Sequence, residues 1–175
     1  ERGIINRYAA MVDQKALGKL WTQWVVDNVP EKSGKILEVR GVSGTSVDRD
    51  RHEGVLETVK NAGGKFEVVE VQGNWDEGTT QKVVADAVAV HKSFVGVSTQ
   101  GGSAGVVRAL ADSGHPYIPI GGETENGFRK LCATHAGEGL KCLSAGTGPA
   151  QVAVAMKTAL AALAGNVVPQ SIAVF

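Results

Sequence analysis

A doubly wound α/β fold, a mostly parallel sheet with helices on both faces, is what this sequence predicts, on three observations. Short apolar runs alternate with stretches of helical spacing along most of the chain. The runs are continuously apolar rather than alternating, as in strands buried on both faces. Glycines punctuate the helix ends, at Gly63-Gly64, Gly114 and Gly165. At 175 residues the chain is long enough for one domain with a real core and short for two, so a single unit over 1–175 is expected. A flavodoxin-like arrangement suits that length.

The elements follow in order. Residues 1–11 show no clear pattern, and Asp13 then reads as an N-cap. Leu17, Leu20, Trp21, Trp24 and Val25 recur at i, i+3, i+4, i+7 and i+8, an amphipathic helix ending before Pro30. That spacing assigns both tryptophans to the core. Lys35–Arg40 is a strand, and the turn Gly41–Gly54 leads into a helix over Arg49–Ala62. Phe66–Val71 is a strand, and Asp76–His91 a helix with Val83, Val84, Ala87 and Val88 inward. Strands at Phe94–Ser98 and Tyr117–Ile120 flank a helix over Ser103–Ser113. A helix over Glu125–Thr134 precedes a strand at Leu140–Ala145. The last helix opens at Pro149, a favoured first-turn position, and Ser171–Val174 is a final short strand.

Composition narrows the function classes. Lys plus Arg is 18 and Asp plus Glu is 18, so no basic surface argues for nucleic acid or an anionic membrane. The longest apolar stretch, Val152–Leu163, is broken by Lys157 and Thr158 and is too short to span a bilayer. Nothing resembles a signal peptide, which fits a mature form, a cytosolic protein or an excised piece. Cys132 and Cys142 are ten positions apart. A disulfide there would contribute somewhat under ~3 kcal/mol by chain entropy, and two free thiols fit equally well. Their spacing is wrong for zinc, and His135 is the only nitrogen ligand close to them, so no metal site is expected.

Ligands of such sheets sit outside the carboxyl ends of the strands. The loops there carry Ser43, Thr45, Ser46 and Arg51; Asn74, Trp75 and Asp76; Thr99 and Gln100; Glu123, Glu125 and Asn126; and Thr147. Arg51 is placed in the first turn of its helix, where the positive helix end disfavours a cation. A planar cation, an acid, amides and an indole on one rim suit a neutral polyol, which asks for paired hydrogen bonds and one flat face. Each residue also has a plainer reading. Arg51 pairs with Glu53, Glu57 or another acid; Trp75 packs under a helix start; Glu123 caps its helix; Asn126-Gly127 is a turn.

Gly101-Gly-Ser103-Ala-Gly105 matches G-x-S-x-G between a strand and a helix, the context of a hydrolase nucleophile. Asp112, Glu123, His115 and His135 lie downstream in a usable order. Four residues nevertheless separate the strand from Ser103, whereas the elbow puts the serine on the turn itself. A serine hydrolase is therefore the alternative rather than the main reading. A phosphate loop is weaker, because Gly41–Ser46 lacks the G-K-[ST] ending.

Lys35-Ile-Leu-Glu-Val-Arg-Gly-Val-Ser-Gly-Thr-Ser46, Asp50-Arg-His-Glu-Gly54, Asn74-Trp-Asp76 and Gly121-Gly-Glu-Thr-Glu-Asn-Gly127 resemble the type I periplasmic sugar-binding proteins. These are ribose- and galactose-type solute receptors of ABC importers, related to LacI-type effector domains, so a LacI-type effector or regulatory module is a further alternative, and the match runs in order from about Val12. The resemblance implies one lobe of a periplasmic, non-catalytic receptor that needs no cofactor, takes a monosaccharide and serves an ABC permease. It implies Arg51 on sugar hydroxyls, Trp75 on the sugar ring and Glu123 in the place of a bidentate aspartate. Thr99 or Gln100 stands near an Asn-Asp pair of the family, and Thr147 where an amide often reaches the ligand. Thr-Gln-Gly-Gly in place of Asn-Asp leaves the sugar open. Only the second lobe is matched, so a fragment, a chain partnered by a separate N-terminal lobe and a stand-alone lobe all fit. The last helix, deprived of that lobe, predicts self-association.

Overall fold

The computed structural model describes residues 7–174, which gather into two compact units, residues 14–146 and residues 7–13 with 147–174. The sequence expects one unit over the whole chain.

In the larger unit, helix α1 (Gln14–Asn28) precedes β2 (Gly34–Arg40), numbered after the short β1 (Ala9–Met11) of the other unit. Then follow α2 (Ser46–Asn61), β3 (Phe66–Gln72), α3 (Glu77–His91), β4 (Gly96–Thr99) and α4 (Ser103–Asp112). The chain continues with β5 (Ile120–Gly122), α5 (Asn126–Thr134), a short 3-10 turn (Ala136–Glu138) and β6 (Cys142–Ser144). The five strands form one parallel sheet in the order β3-β2-β4-β5-β6, the flavodoxin-like order. One face packs under α1 and α2 through Val25, Val29, Ile36, Val59 and Phe66. The other packs under α3, α4 and α5 through Leu37, Val39, Val84, Val97, Leu110 and Phe128. Two covered faces are why β2 reads as an unbroken buried run.

The smaller unit pairs β1 in parallel with β7 (Ser171–Ala173) and adds helix α6 (Ala150–Leu163). Its only buried α6 residue is Thr158, while Val152, Met156, Leu160 and Leu163 stand exposed along one side. The unpatterned start expected for 1–11 thus contains a strand at 9–11, whose partner lies at the far end of the sequence. Residues 1–6 are outside the described part.

Two local expectations are corrected and one open choice is decided. Helix α2 starts at Ser46, three residues before the expected Arg49, because Thr45 adopts the extended N-cap conformation and its hydroxyl accepts from Asp48 N at 3.2 Å. Arg51 therefore sits in the second turn, and the acid Asp48 occupies the first, as the helix dipole favours. Leu20 is exposed: α1 buries Leu17, Gly18, Trp21, Thr22 and Val25 instead. The reason is backbone contact between helices. A Cβ on Gly18 would collide with the Arg51 carbonyl, and one on Gly54 with the Lys15 carbonyl, so α1 and α2 cross glycine against glycine. Finally, Cys132 on α5 and Cys142 on β6 are joined by a disulfide with Cα atoms 6.1 Å apart, which decides between the two cysteine readings.

Candidate functional site

The strand order reverses between β2 and β4, and the loops that leave these strands diverge there, which opens the crevice where such sheets hold ligands. A pocket of about 280 Å³ lies at that point, lined by Val47, Arg51, Trp75, Gln100, Gly101, Glu123 and Glu125.

Arg51 is its centre. The glycine crossing of α1 and α2 brings it down onto the core, where it is only 5% exposed. Its Nε donates to Gln14 Oε1 at 2.8 Å, Nη1 to the Gln100 carbonyl at 2.8 Å and Nη2 to Glu123 Oε2 at 2.7 Å. The guanidinium carbon lies 5.0 Å from the Trp21 ring centroid, a cation–π distance. Burial pushes the guanidinium below its ordinary value, and the Glu123 carboxylate pulls it back. An arginine keeps its charge through such a shift. Nη1 and Nη2 each carry a second N–H, so the fork still has donors to offer on the pocket side.

Trp75 forms a second wall. Asn74 and Trp75 both have left-handed backbones, φ 57° and 59°, an arrangement that costs of order 1–3 kcal/mol per residue and clusters at binding sites. The next residue, Asp76, fixes the turn by capping α3, its carboxylate accepting from Thr79 N at 2.7 Å. The indole lies on the backbone of Gly41, where any Cβ would overlap it, and a Cβ at Gly101 would stand 3.1 Å from its Cδ1. It remains 38% exposed, a flat apolar surface presented beside the guanidinium.

The acids supply the third wall. Glu123 follows β5 and pairs with Arg51, while its other oxygen accepts from Thr124 N at 3.0 Å. Glu125 accepts from Gly102 N at 2.7 Å and Ser103 N at 2.8 Å, so it neutralises the N-terminus of α4. Two carboxylates against one guanidinium leave the pocket with acceptors already polarised and no surplus positive charge.

Of the residues singled out in the sequence, Arg51, Trp75, Gln100 and Glu123 line this one pocket. Gln100 takes part through its backbone, since its side chain turns inward and donates to the Asp48 carbonyl at 3.2 Å. Thr99 is fully buried and spends its hydroxyl on the Gly101 carbonyl at 2.9 Å, outside the lining. Asn126 opens α5 and is exposed, also outside the lining. Thr147 belongs to the smaller unit.

The geometry gives the hydrolase alternative no support. Ser103 is fully buried at the first position of α4, and its hydroxyl has no hydrogen-bond partner among the described residues. His115 accepts from Phe94 N and meets the Pro116 carbonyl, and His135 faces Glu138, so neither serves as a base for it. Gln14 and Trp21, in contrast, hold Arg51 in place and carry no sequence signal of it. Trp21 reads as core because it is core, with its indole N–H donating to the Ala145 carbonyl at 2.7 Å.

A family model described as "Periplasmic binding protein domain" matches residues 7–166. No curated protein matches the chain. Among solved structures, an ABC transporter periplasmic solute binding protein from Actinobacillus succinogenes with bound D-allose is 19% identical. The match covers 97% of this chain and 59% of that one, with a TM-score of 0.83. A carbohydrate transporter solute binding protein from Agrobacterium radiobacter, in complex with D-arabinose, is 17% identical over 95% of this chain and 59% of its own, TM-score 0.83. An ABC transporter solute binding protein from Mycobacterium smegmatis with bound glycerol is 24% identical over 93% and 57%, TM-score 0.79. The chain therefore spans about three fifths of the length of these structures.

Proposed function

From the premise that this chain belongs to the periplasmic binding protein family, we propose that residues 14–146 are one ligand-binding lobe of an ABC-type sugar receptor. It takes a monosaccharide or similar neutral polyol by hydrogen bonding and stacking, without covalent chemistry or cofactor. The observation that carries this reading is the convergence of Arg51, Glu123 and the half-exposed Trp75 on one pocket at the switch point. A guanidinium already paired with a carboxylate offers donors and acceptors side by side, which suits the donor and acceptor roles of adjacent sugar hydroxyls. The same pairing disfavours a sugar phosphate or sugar acid, whose charge Arg51 is no longer free to compensate.

The compartment in this reading is the periplasm. A disulfide is at home in an oxidising compartment, and no helix among the described residues is long and apolar enough to cross a membrane. The partners are the permease of the import system and the first lobe of the receptor. The exposed stripe Val152, Met156, Leu160 and Leu163 is where a further body packs, since a two-stranded sheet and one helix cannot bury a core alone. In a sample of these 175 residues alone, a second copy of the chain packs on that stripe, and sedimentation at rising concentration reads this out as a monomer–dimer equilibrium. A constant monomer mass would rule it out.

Calorimetric titration with a panel of pentoses and hexoses, D-allose and D-arabinose included, tests the ligand class. One wall titrated by itself gives an affinity on the order of millimolar, roughly −4 kcal/mol. Saturable heat from at least one neutral sugar is expected. Silence from every sugar would overturn the reading.

A further inference from the structure

On the face of α2 away from the pocket, β2 and β3 bring Glu38 and Glu70 side by side in register, with His52 of the helix over them. Glu38 is fully buried, yet its Oε1 has no hydrogen-bond partner among the described residues. A buried carboxylate oxygen without a donor forgoes a charge-assisted bond and is an exception that asks for a ligand. The neighbouring cation does not supply one. Arg40 gives Nε and Nη2 to Asp48, at 2.9 Å and 2.6 Å, and Nη1 to Glu70 Oε2 at 2.6 Å. Its Nε stays 3.8 Å from Glu38 Oε1. Glu38, Glu70 and Asp48 thus face one guanidinium, which leaves Glu38 Oε1 without a direct donor.

We propose that Glu38, His52 and Glu70 form a binding site for one divalent transition-metal ion of the zinc type. Each residue offers one ligand atom, and these atoms lie within 4.8 Å of one another. One nitrogen and two carboxylate oxygens are a donor set that zinc accepts, at bond lengths of about 2.0–2.2 Å. One ion takes a single nitrogen of the ring. His52 Nδ1 meets Glu38 Oε2 at 2.7 Å, a contact that fixes the imidazole over the two acids. Nε2 lies 3.9 Å from Glu70 Oε1, wider than a hydrogen bond. Glu70 is 45% exposed at its side chain, so the ion enters from solvent, and water completes its shell. Because β3 is the edge strand and His52 adjoins Arg51 on α2, the ion ties the sheet edge to the helix that carries the pocket's guanidinium.

The test uses the full chain, stripped with chelator and titrated with zinc chloride by calorimetry. One ion per chain is expected, with a melting temperature that rises on zinc addition. Glu38→Gln and His52→Gln should each weaken binding at least 10-fold and cancel the rise, whereas His135→Gln, at the exposed His135–Glu138 pair, should change neither. Circular dichroism of the metal-free variants confirms that they fold; should one fail, Glu70→Gln on the exposed edge replaces it. No saturable binding at 100-fold excess zinc, or an unchanged affinity in the folded variants, would overturn the proposal.

Discussion

Arg51 and His52 are neighbours on α2, yet they look out on opposite electrostatic solutions. Arg51 is buried and satisfied: three of its N–H groups are bonded, a carboxylate balances it and an indole lies beneath it. The His52 flank opens to solvent at Glu70 and is unsatisfied within, with the buried orphan oxygen of Glu38 at its centre. The difference teaches how one helix serves two purposes. On the pocket side the protein's own groups fix the guanidinium in place. On the other side it has left a valence open.

The comparison breaks altogether if α2 loses its seat. Gly18→Val puts a branched side chain into the Arg51 carbonyl and should cost about 3 kcal/mol or more, displacing both flanks. Urea unfolding measures it, and a loss under 1 kcal/mol would mean that the helices do not cross at this glycine. Glu123→Ala strikes the Arg51 side alone. It leaves a 5%-exposed guanidinium unpaired and should cost about 3 kcal/mol, the low end for a broken buried pair because Glu123 keeps 19% of its side-chain surface. Glu38→Leu strikes the other side. Removing a carboxylate that is only half bonded should change metal-free stability by less than about 1 kcal/mol in either direction. If Glu38→Leu proved as costly as Glu123→Ala, the two flanks would be equally satisfied and the contrast would fail. Trp75→Ala is the mildest for the fold. Its exposed ring should be worth under about 1 kcal/mol in the same unfolding assay, while sugar heat disappears.

Much of this was legible in the residues, for reasons that can be named. Continuous apolar runs such as Lys35–Arg40 declared a sheet covered on both faces, and the loops after those runs named Arg51, Trp75 and Glu123 together. The spacing places Arg51 one turn too early, because Thr45 rather than a residue beside Arg49 is the N-cap of α2. Helical spacing puts Leu20 inside, because a helical wheel does not show a neighbouring helix in backbone contact at Gly18. Composition offers Thr99 to a ligand, because it does not show that the hydroxyl is already used within its own loop. Pairing of β1 with β7 joins residues too far apart in the chain for any local pattern to carry. Glu38 is the most instructive case. It sits inside an apolar run, and the pattern that made the run a strand said nothing of the acid within it.

Arg51, Trp75 and Glu123 form the proposed sugar-binding wall. The chain has three tryptophans, one in the pocket wall, one under the guanidinium and one, Trp24, on the far part of α1. Their indole N–H signals, followed by two-dimensional NMR during titration with the sugar that gives heat, report the site residue by residue. The account predicts a large saturable shift at Trp75, a smaller one at Trp21 with the same midpoint, none at Trp24, and loss of all shifts in Arg51→Met. A saturable shift at Trp24 with Trp75 unmoved, or shifts that survive Arg51→Met, would contradict it.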